Sequence, residues 1–282
     1  MRINGLVTLY NPDSETIEFW RKKASEFDRI FLCDNTKENL GIPLAYNKIL
    51  KEEQFENDDI LLFFDQDTRF EPDYIRKLVN SFEKAEVALK NKGLRIGVMG
   101  PVFYNRSRNV VEKPHIKAVL ELNENNLNEL YFVNSIITSS MITRFSTIKD
   151  IGYWNEDLFL DFADWDLCFR LINEGYTVCM LPDLIINHEV GEGDKKIGFM
   201  EIRKSSPERE YYMARDSRYM LSRKYTPRQY RRKLVQMAYF EPIIHSFVFD
   251  CGLQRLRFTW NGVKDYKAGV TGIYNQRKNA EI

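Results

Sequence analysis

The chain has 282 residues, 44% hydrophobic and 29% charged, and its 41 basic and 41 acidic residues leave a formal net charge of zero. That balance excludes disordered and collagen-like classes, leaves room for one α/β domain or a core with an appendage, and argues against a general nucleic-acid binder. Four well-separated cysteines, Cys33, Cys168, Cys179 and Cys251, read as reduced thiols; with no signal peptide and no run near the roughly 18 apolar residues of a membrane span, the expected location is the cytoplasm.

Ile3 to Leu9 is a short apolar run closed by the turn signal Tyr10-Asn11-Pro12, and helical spacing follows from about Ser14 to Phe27. Arg29 to Cys33 is a second strand, ending in Asp34-Asn35. After Asn39-Leu40-Gly41-Ile42-Pro43 a helix is predicted from about Leu44 to Glu53. Ile60 to Phe64, five apolar residues in a row, then reads as a strand buried on both faces, with Asp65-Gln66-Asp67 at its C-terminal end and a helix over Asp73 to Lys84. This alternation predicts parallel crossovers and a Rossmann-like α/β sheet.

Each of the three strands ends in groups that can hold a nucleotide: Thr8, Tyr10 and Asn11, then Asp34, then Asp65 and Asp67. In an open α/β sheet ligands bind at that end. In extended geometry Asp65 and Asp67 project to the same side, where two carboxylates suit a hard divalent cation; the plainer alternative is a helix-capping turn. There is no Gly-x-Gly-x-x-Gly and no Gly-Lys-Ser/Thr loop, which argues against a dinucleotide oxidoreductase or a P-loop enzyme.

Arg95 to Pro101 predicts a fourth strand, Tyr104 to Glu129 a polar, irregular surface excursion, and Phe145 to Ile151 a helix after the apolar stretch around Ser139-Ser140. Asp161 to Ile172 opens a helix that runs to about Glu174 and stops at Gly175. Acidic residues in a first turn complement the helix dipole, but Asp161, Asp164 and Asp166, flanked by aromatic residues, exceed what capping requires. Tyr176 to Leu181 is a further strand, after which His188, one of three histidines, precedes a Gly-rich loop. A lone histidine is commonly a packed residue; imidazole also completes the coordination of Mn2+ or Mg2+ already held by carboxylate.

Beyond about Met200 the chain is strongly basic, from Arg203 to Lys233, with Tyr211, Tyr212, Met213, Tyr219 and Met220 at helical spacing. Such a stripe suits an anionic membrane surface at the inner face of the plasma membrane, or a pyrophosphate; a solvated helix face is the alternative. The expected division is a Rossmann-like α/β domain over 1–205 and a basic, aromatic-rich helical region over 206–282.

The ordered motifs Asn39 to Asn47, Asp65-Gln66-Asp67, Phe162 to Arg170 and His188-Glu189-Val190-Gly191 resemble those of family-2 glycosyltransferases with the GT-A fold, over roughly residues 3 to 225. Within that family the Asp65 triplet, the Asp161 to Arg170 run, the His188 turn and Tyr211-Tyr212 with Arg215 are similar to bacterial rhamnosyltransferases of surface-polysaccharide assembly. The resemblance implies a GT-A sheet with a C-terminal helical extension, and an inverting, metal-dependent transfer. The donor is a nucleoside diphosphate sugar, dTDP-rhamnose or alternatively a UDP-sugar. The acceptor is a glycan or polyprenyl-linked glycan.

It further implies that Thr8, Tyr10 and Asp34 hold base and ribose, Asp65 the ribose or metal shell, Asp67 with His188 the Mg2+ or Mn2+, and Arg215 the pyrophosphate. Asn11, Asn47, Gln66, Asp166 and Arg170 join the substrate-binding set. The family's Glu-Asp pair is Ala163-Asp164 here, so Asp164 stands as the general base and the first carboxylate is missing, with Asp161 nearby. That gap leaves open a silent sugar-nucleotide- or glycan-binding module; a two-carboxylate glycoside hydrolase, needing neither metal nor nucleotide, is the other rival.

Overall fold

The computed structural model describes residues 1–105, 110–111, 115–124, 127–188, 194–197, 200–203 and 205–274. β1 (Ile3–Leu9), α1 (Ser14–Lys23), β2 (Arg29–Asp34), α2 (Gly41–Glu52), β3 (Ile60–Asp65) and α3 (Tyr74–Asn91) alternate as the periodicity predicts. β1 is parallel to both β2 and β3. The apolar run of β3 is continuous because both its faces are covered. Ile60, Leu62 and Phe64 pack with Trp20, Phe70 and the α3 residues Tyr74, Ile75 and Leu78. From the other face, Phe63 meets Tyr46 of α2 and Trp154 at ring distances of 4.8 and 5.1 Å. Each such side chain, fully buried, contributes about 1.5–3 kcal/mol.

The sheet continues through β4 (Arg95–Asn105), β5 (Val110–Val111), β6 (Ala118–Glu124), β7 (Leu127–Phe132), β8 (Met141–Arg144) and, after α4 (Phe145–Asp150) and α5 (Ala163–Asn173), β9 (Tyr176–His188). The order is β2-β1-β3-β8-β4-β9-β7-β6, with β5 on β4. β8 enters antiparallel between β3 and β4, while β9 lies parallel to β4.

Two expectations are corrected. The described residues between 104 and 129 are not irregular: they end β4 and include strands β5, β6 and β7, with Leu120 of β6 paired antiparallel to the fully buried Leu130 of β7. Their leucines alternate, but the polar residues between them hide the pattern. β9 also runs on to His188. Pro182-Asp183 falls at a register shift opposite Pro101/Val102, and Ile185 and Ile186 resume the pairing.

The chain forms two compact units, residues 1–154 with 167–189, and residues 155–166 with 190–282; the division falls inside α5. The second unit contains β10 (Asp194–Ile197), β11 (Met200–Arg203), α6 (Arg209–Ser222), α7 (Arg228–Val235), a π-helical turn (Gln236–Phe240), α8 (Glu241–Val248) and α9 (Gly252–Lys267). α6 is its centre. Tyr211, Tyr212, Met213, Tyr219 and Met220 are buried, so the stripe expected to face a membrane is core instead. Gly262 of α9 crosses α6 where a β-carbon would come within 2.3 Å of the Tyr211 carbonyl oxygen, a contact only glycine permits. Among the described residues no helix is long and apolar enough to cross a membrane.

Candidate active site

The three parallel strands bring their C-terminal ends into one row. Thr8 lies beside Asp65 across β1 and β3, and Leu9 lies beside Asp34 across β1 and β2. The loops that follow are tied together by hydrogen bonds. The Tyr10 amide donates to Gln66 Oε1 at 2.7 Å, and the Asn11 amide to Thr36 Oγ1 at 3.1 Å. Asp34 receives the Thr36 amide at 2.8 Å, and hydrogen bonds from Thr36 hold its carboxyl below the usual range. The Tyr10 side chain remains 49% exposed on this edge, an aromatic face available for stacking.

Asp65 to Thr68 form a turn, closed by the Thr68 amide donating to the Asp65 carbonyl at 3.1 Å. This corrects the extended geometry assumed for Asp65 and Asp67: the strand ends at Asp65, and Asp67 belongs to the turn. The turn is pinned from beneath. Trp20 Nε1 and Arg69 donate to the Gln66 carbonyl at 3.1 and 2.8 Å, and Ser139 Oγ donates to Asp65 Oδ2 at 2.5 Å. Tyr46 hydrogen-bonds the Phe64 carbonyl at 3.0 Å. Burial pushes its hydroxyl well above the usual value, and the Asp65 charge adds to that shift. Thr36 and Ser139 support the site without any motif of their own, whereas Tyr46 lies within the Asn39 to Asn47 motif.

His188 ends β9 with its backbone opposite Asn105; its side chain lies outside the described residues. Among the described residues no group of three His, Cys, Asp or Glu side chains gathers as a metal cage. The donor chemistry at the turn is nevertheless suitable: Asp65 and Asp67 are hard oxygen ligands, and Mg2+ or Mn2+ commonly takes its remaining ligands from phosphate and water.

Asn47 and Arg170, expected among the substrate ligands, are engaged inside the first unit. Asn47 exchanges two hydrogen bonds with the Trp154 backbone, at 2.8 and 3.0 Å. Arg170 donates to the carbonyls of Ile151 and Tyr153 at 2.8 and 2.9 Å.

In the second unit, Phe162 adopts a left-handed backbone (φ 69°) just before α5, and Asp164 sits half-buried in the first helical turn. Its Oδ1 accepts the Trp165 amide at 2.8 Å, so the same carboxylate complements the helix dipole. Asp166 is fully buried and its Oδ1 accepts from Asn155 Nδ2 at 3.1 Å and Tyr225 hydroxyl at 2.5 Å. Asp161 is held by both ends of the Arg209 guanidinium, at 2.6 and 3.0 Å.

Arg215, expected at the pyrophosphate, is 1% exposed. It pairs with Asp216 at 2.6 Å and donates to the Gly272 carbonyl at 2.6 Å.

A parallel half-sheet whose strands end in acidic turns, continued by an antiparallel insertion and strands β4 and β9, is the GT-A fold. The sequence matches the model of Glycosyl transferase family group 2 over residues 60–263, and the chain belongs to that family. It is 27% identical over 225 residues, 76% of this chain and 71% of the relative, to the dTDP-rhamnosyl transferase RfbF of Shigella flexneri. Among solved structures it is similar to S. aureus TarS residues 1–349, with a TM-score of 0.53 at 13% identity, covering 94% of this chain and 81% of that one. For the longer S. aureus TarS chain the TM-score is 0.52 at 14% identity; this chain is covered completely and spans 50% of that one. The protein is therefore a family-2 glycosyltransferase.

Proposed function

We propose that the protein transfers L-rhamnose from dTDP-rhamnose, with inversion, to a hydroxyl of a growing, polyprenyl-linked surface glycan. The observation that carries a nucleotide-sugar donor is the row formed by Asp34, Thr8 and Asp65 at the ends of three parallel strands, beside the exposed Tyr10 ring. Thr8, Tyr10 and Asp34 bind base and ribose there, with Asn11 and Gln66 shaping the loops. The choice of rhamnose is supported by the likeness to a dTDP-rhamnosyl transferase.

Asp164 acts as the general base. It takes the proton of the acceptor hydroxyl as that oxygen bonds to the anomeric carbon and the bond to the diphosphate oxygen breaks. One displacement inverts the centre. Asp67 and His188 would hold Mg2+ or Mn2+, with Asp65 in its outer shell; the bound cation stabilises charge on the departing diphosphate.

Isothermal titration with dTDP and UDP, each with and without Mn2+, tests this reading. Metal-dependent binding with dTDP preferred is expected. A preference for UDP would replace rhamnose by a galactosyl or galactofuranosyl donor, and binding of neither would overturn the role given to the β1–β2–β3 edge.

A further inference from the structure

The helices after α6 leave an apolar face uncovered. Along the continuous helical stretch of α7, the π turn and α8, Tyr239, Phe240, Ile243 and Phe247 are all exposed; Phe240, Ile243 and Phe247, spaced by three and four residues, share one side, and Tyr239 adjoins them. α9 repeats the pattern with Leu253, Leu256 and Trp260. Phe247 is 84%, Leu253 87% and Trp260 70% exposed, far from the normal fate of large apolar side chains in a folded chain.

Charge continues the same stripes. Arg228 and Arg232 precede the apolar run of α7 and α8, and Lys264 and Lys267 follow Trp260 on the same side of α9; all four are exposed, as is Arg257. Among the described residues 228–267, Asp250 is the one acidic residue on the exposed surface, while Glu241 and Asp265 are half-buried. A protein partner would meet this face with an acidic groove, whereas aromatic and aliphatic tips ringed by Arg and Lys match the interface of an anionic bilayer. There Trp, Tyr and Phe sit at headgroup depth while basic groups meet lipid phosphates.

We infer that α7, α8 and α9 form a peripheral docking surface for an anionic lipid bilayer. The buried α6 stripe takes no part in this surface, which lies on the aromatic and basic helices that follow it. It does not depend on the donor sugar, so its test is independent of catalysis.

The full chain is floated with phosphatidylcholine vesicles, with and without phosphatidylglycerol. Binding at least about tenfold stronger to the anionic vesicles, and weakened by salt, is expected. Phe247→Ser and Leu253→Ser each lower the partition coefficient by about tenfold, because each removes one inserted apolar side chain. Arg232→Glu with Lys264→Glu removes the preference for anionic lipid. These sites are exposed, so unchanged melting and nucleotide binding show that the variants fold. Equal binding to both vesicle types would overturn the inference. So would variants that bind like the parent chain, or concentration-dependent dimerisation lost in the same variants, which would mean a second copy covers this face.

Discussion

Ser139 donates its hydroxyl to Oδ2 of Asp65 at 2.5 Å from a position 74 residues further along the chain. Ser139 is fully buried, so this hydrogen bond fixes the carboxylate at the strand end before any ligand arrives. A hydrogen bond to a charged group is worth about 1.5–3 kcal/mol. Ser139→Ala is therefore expected to weaken nucleotide binding by about tenfold or more while the protein still folds. Calorimetry on the variant and its parent is the measurement, and unchanged affinity would mean that Asp65 needs no such support.

Asp164 is assigned to proton transfer rather than donor binding, and the two can be separated. Asp164→Asn keeps the shape and still accepts the Trp165 amide through its side-chain oxygen. Transfer should fall by about 100- to 10,000-fold, the usual contribution of a general base, with dTDP affinity unchanged. Single-turnover assays with a lipid-linked acceptor would read this. Near-normal turnover would remove Asp164 from the mechanism.

Asp166, two residues on, behaves differently because it is sealed. With Asn155 and Tyr225 both donating to its Oδ1, Asp166→Ala removes a buried acceptor that two donors share and should cost about 1–3 kcal/mol of stability. Tyr225→Phe removes one donor and should cost about 1 kcal/mol. Denaturant unfolding of both variants checks the order. If Asp166→Ala melted like the parent but lost donor affinity, a direct ligand role would stand instead.

The contrast between Asp164 and Asp166 shows where sequence reasoning stops. The β1, β2 and β3 strand ends were legible because short apolar runs followed by polar turns obey local rules, and Ile60 to Phe64 could be buried on both faces in one way only. The helix expected from Asp161 to about Glu174 was legible from its acidic first turn and the Gly175 stop, and it opens two residues later, at Ala163. Ser139 was not, because it reaches Asp65 only through β8, whose antiparallel insertion between β3 and β4 depends on distant pairing. The β6–β7 pairing and the burial of α6 were hidden likewise. An Asp or Arg in a motif looks the same whether it faces a ligand or a neighbouring carbonyl, as Arg170 and Arg215 do here.

Arg215 and Asp216 are an adjacent buried pair at 2.6 Å. Burial raises the Asp216 carboxyl, to about 7, with the Arg215 charge pulling the other way; the Phe159 amide also donates to it at 3.4 Å. Removing one partner strands the other. Arg215→Ala should destabilise the second unit by about 3–5 kcal/mol, whereas replacing both with apolar residues of similar volume should recover most of that loss. Unfolding of the single and double variants measures the difference. A stable Arg215→Ala with selectively weakened diphosphate binding would return the guanidinium to the pyrophosphate.

Asp59, at the other end of β3, gives the fold an acid limit with a definite sign. Burial alone would raise its carboxyl. Hydrogen bonds from the Arg2 side chain and the amides of Glu56 and Arg2 outweigh that, with Arg2 Nη2 at 2.8 Å, and hold it below the usual range. The unfolded chain, with an ordinary carboxyl near 3.9, therefore binds more protons than the folded one as pH falls below that value. The stabilisation is fully present above about pH 4 to 5 and is lost as pH drops through the lower folded value. Asp59→Asn should cost about 1–3 kcal/mol at neutral pH, because the Arg2 donors lose their charged acceptor. It should also flatten the decline in stability below about pH 4. Thermal melts of both proteins across that range would show the two curves converging in acid. Curves that stay parallel would place the acid sensitivity on other carboxylates.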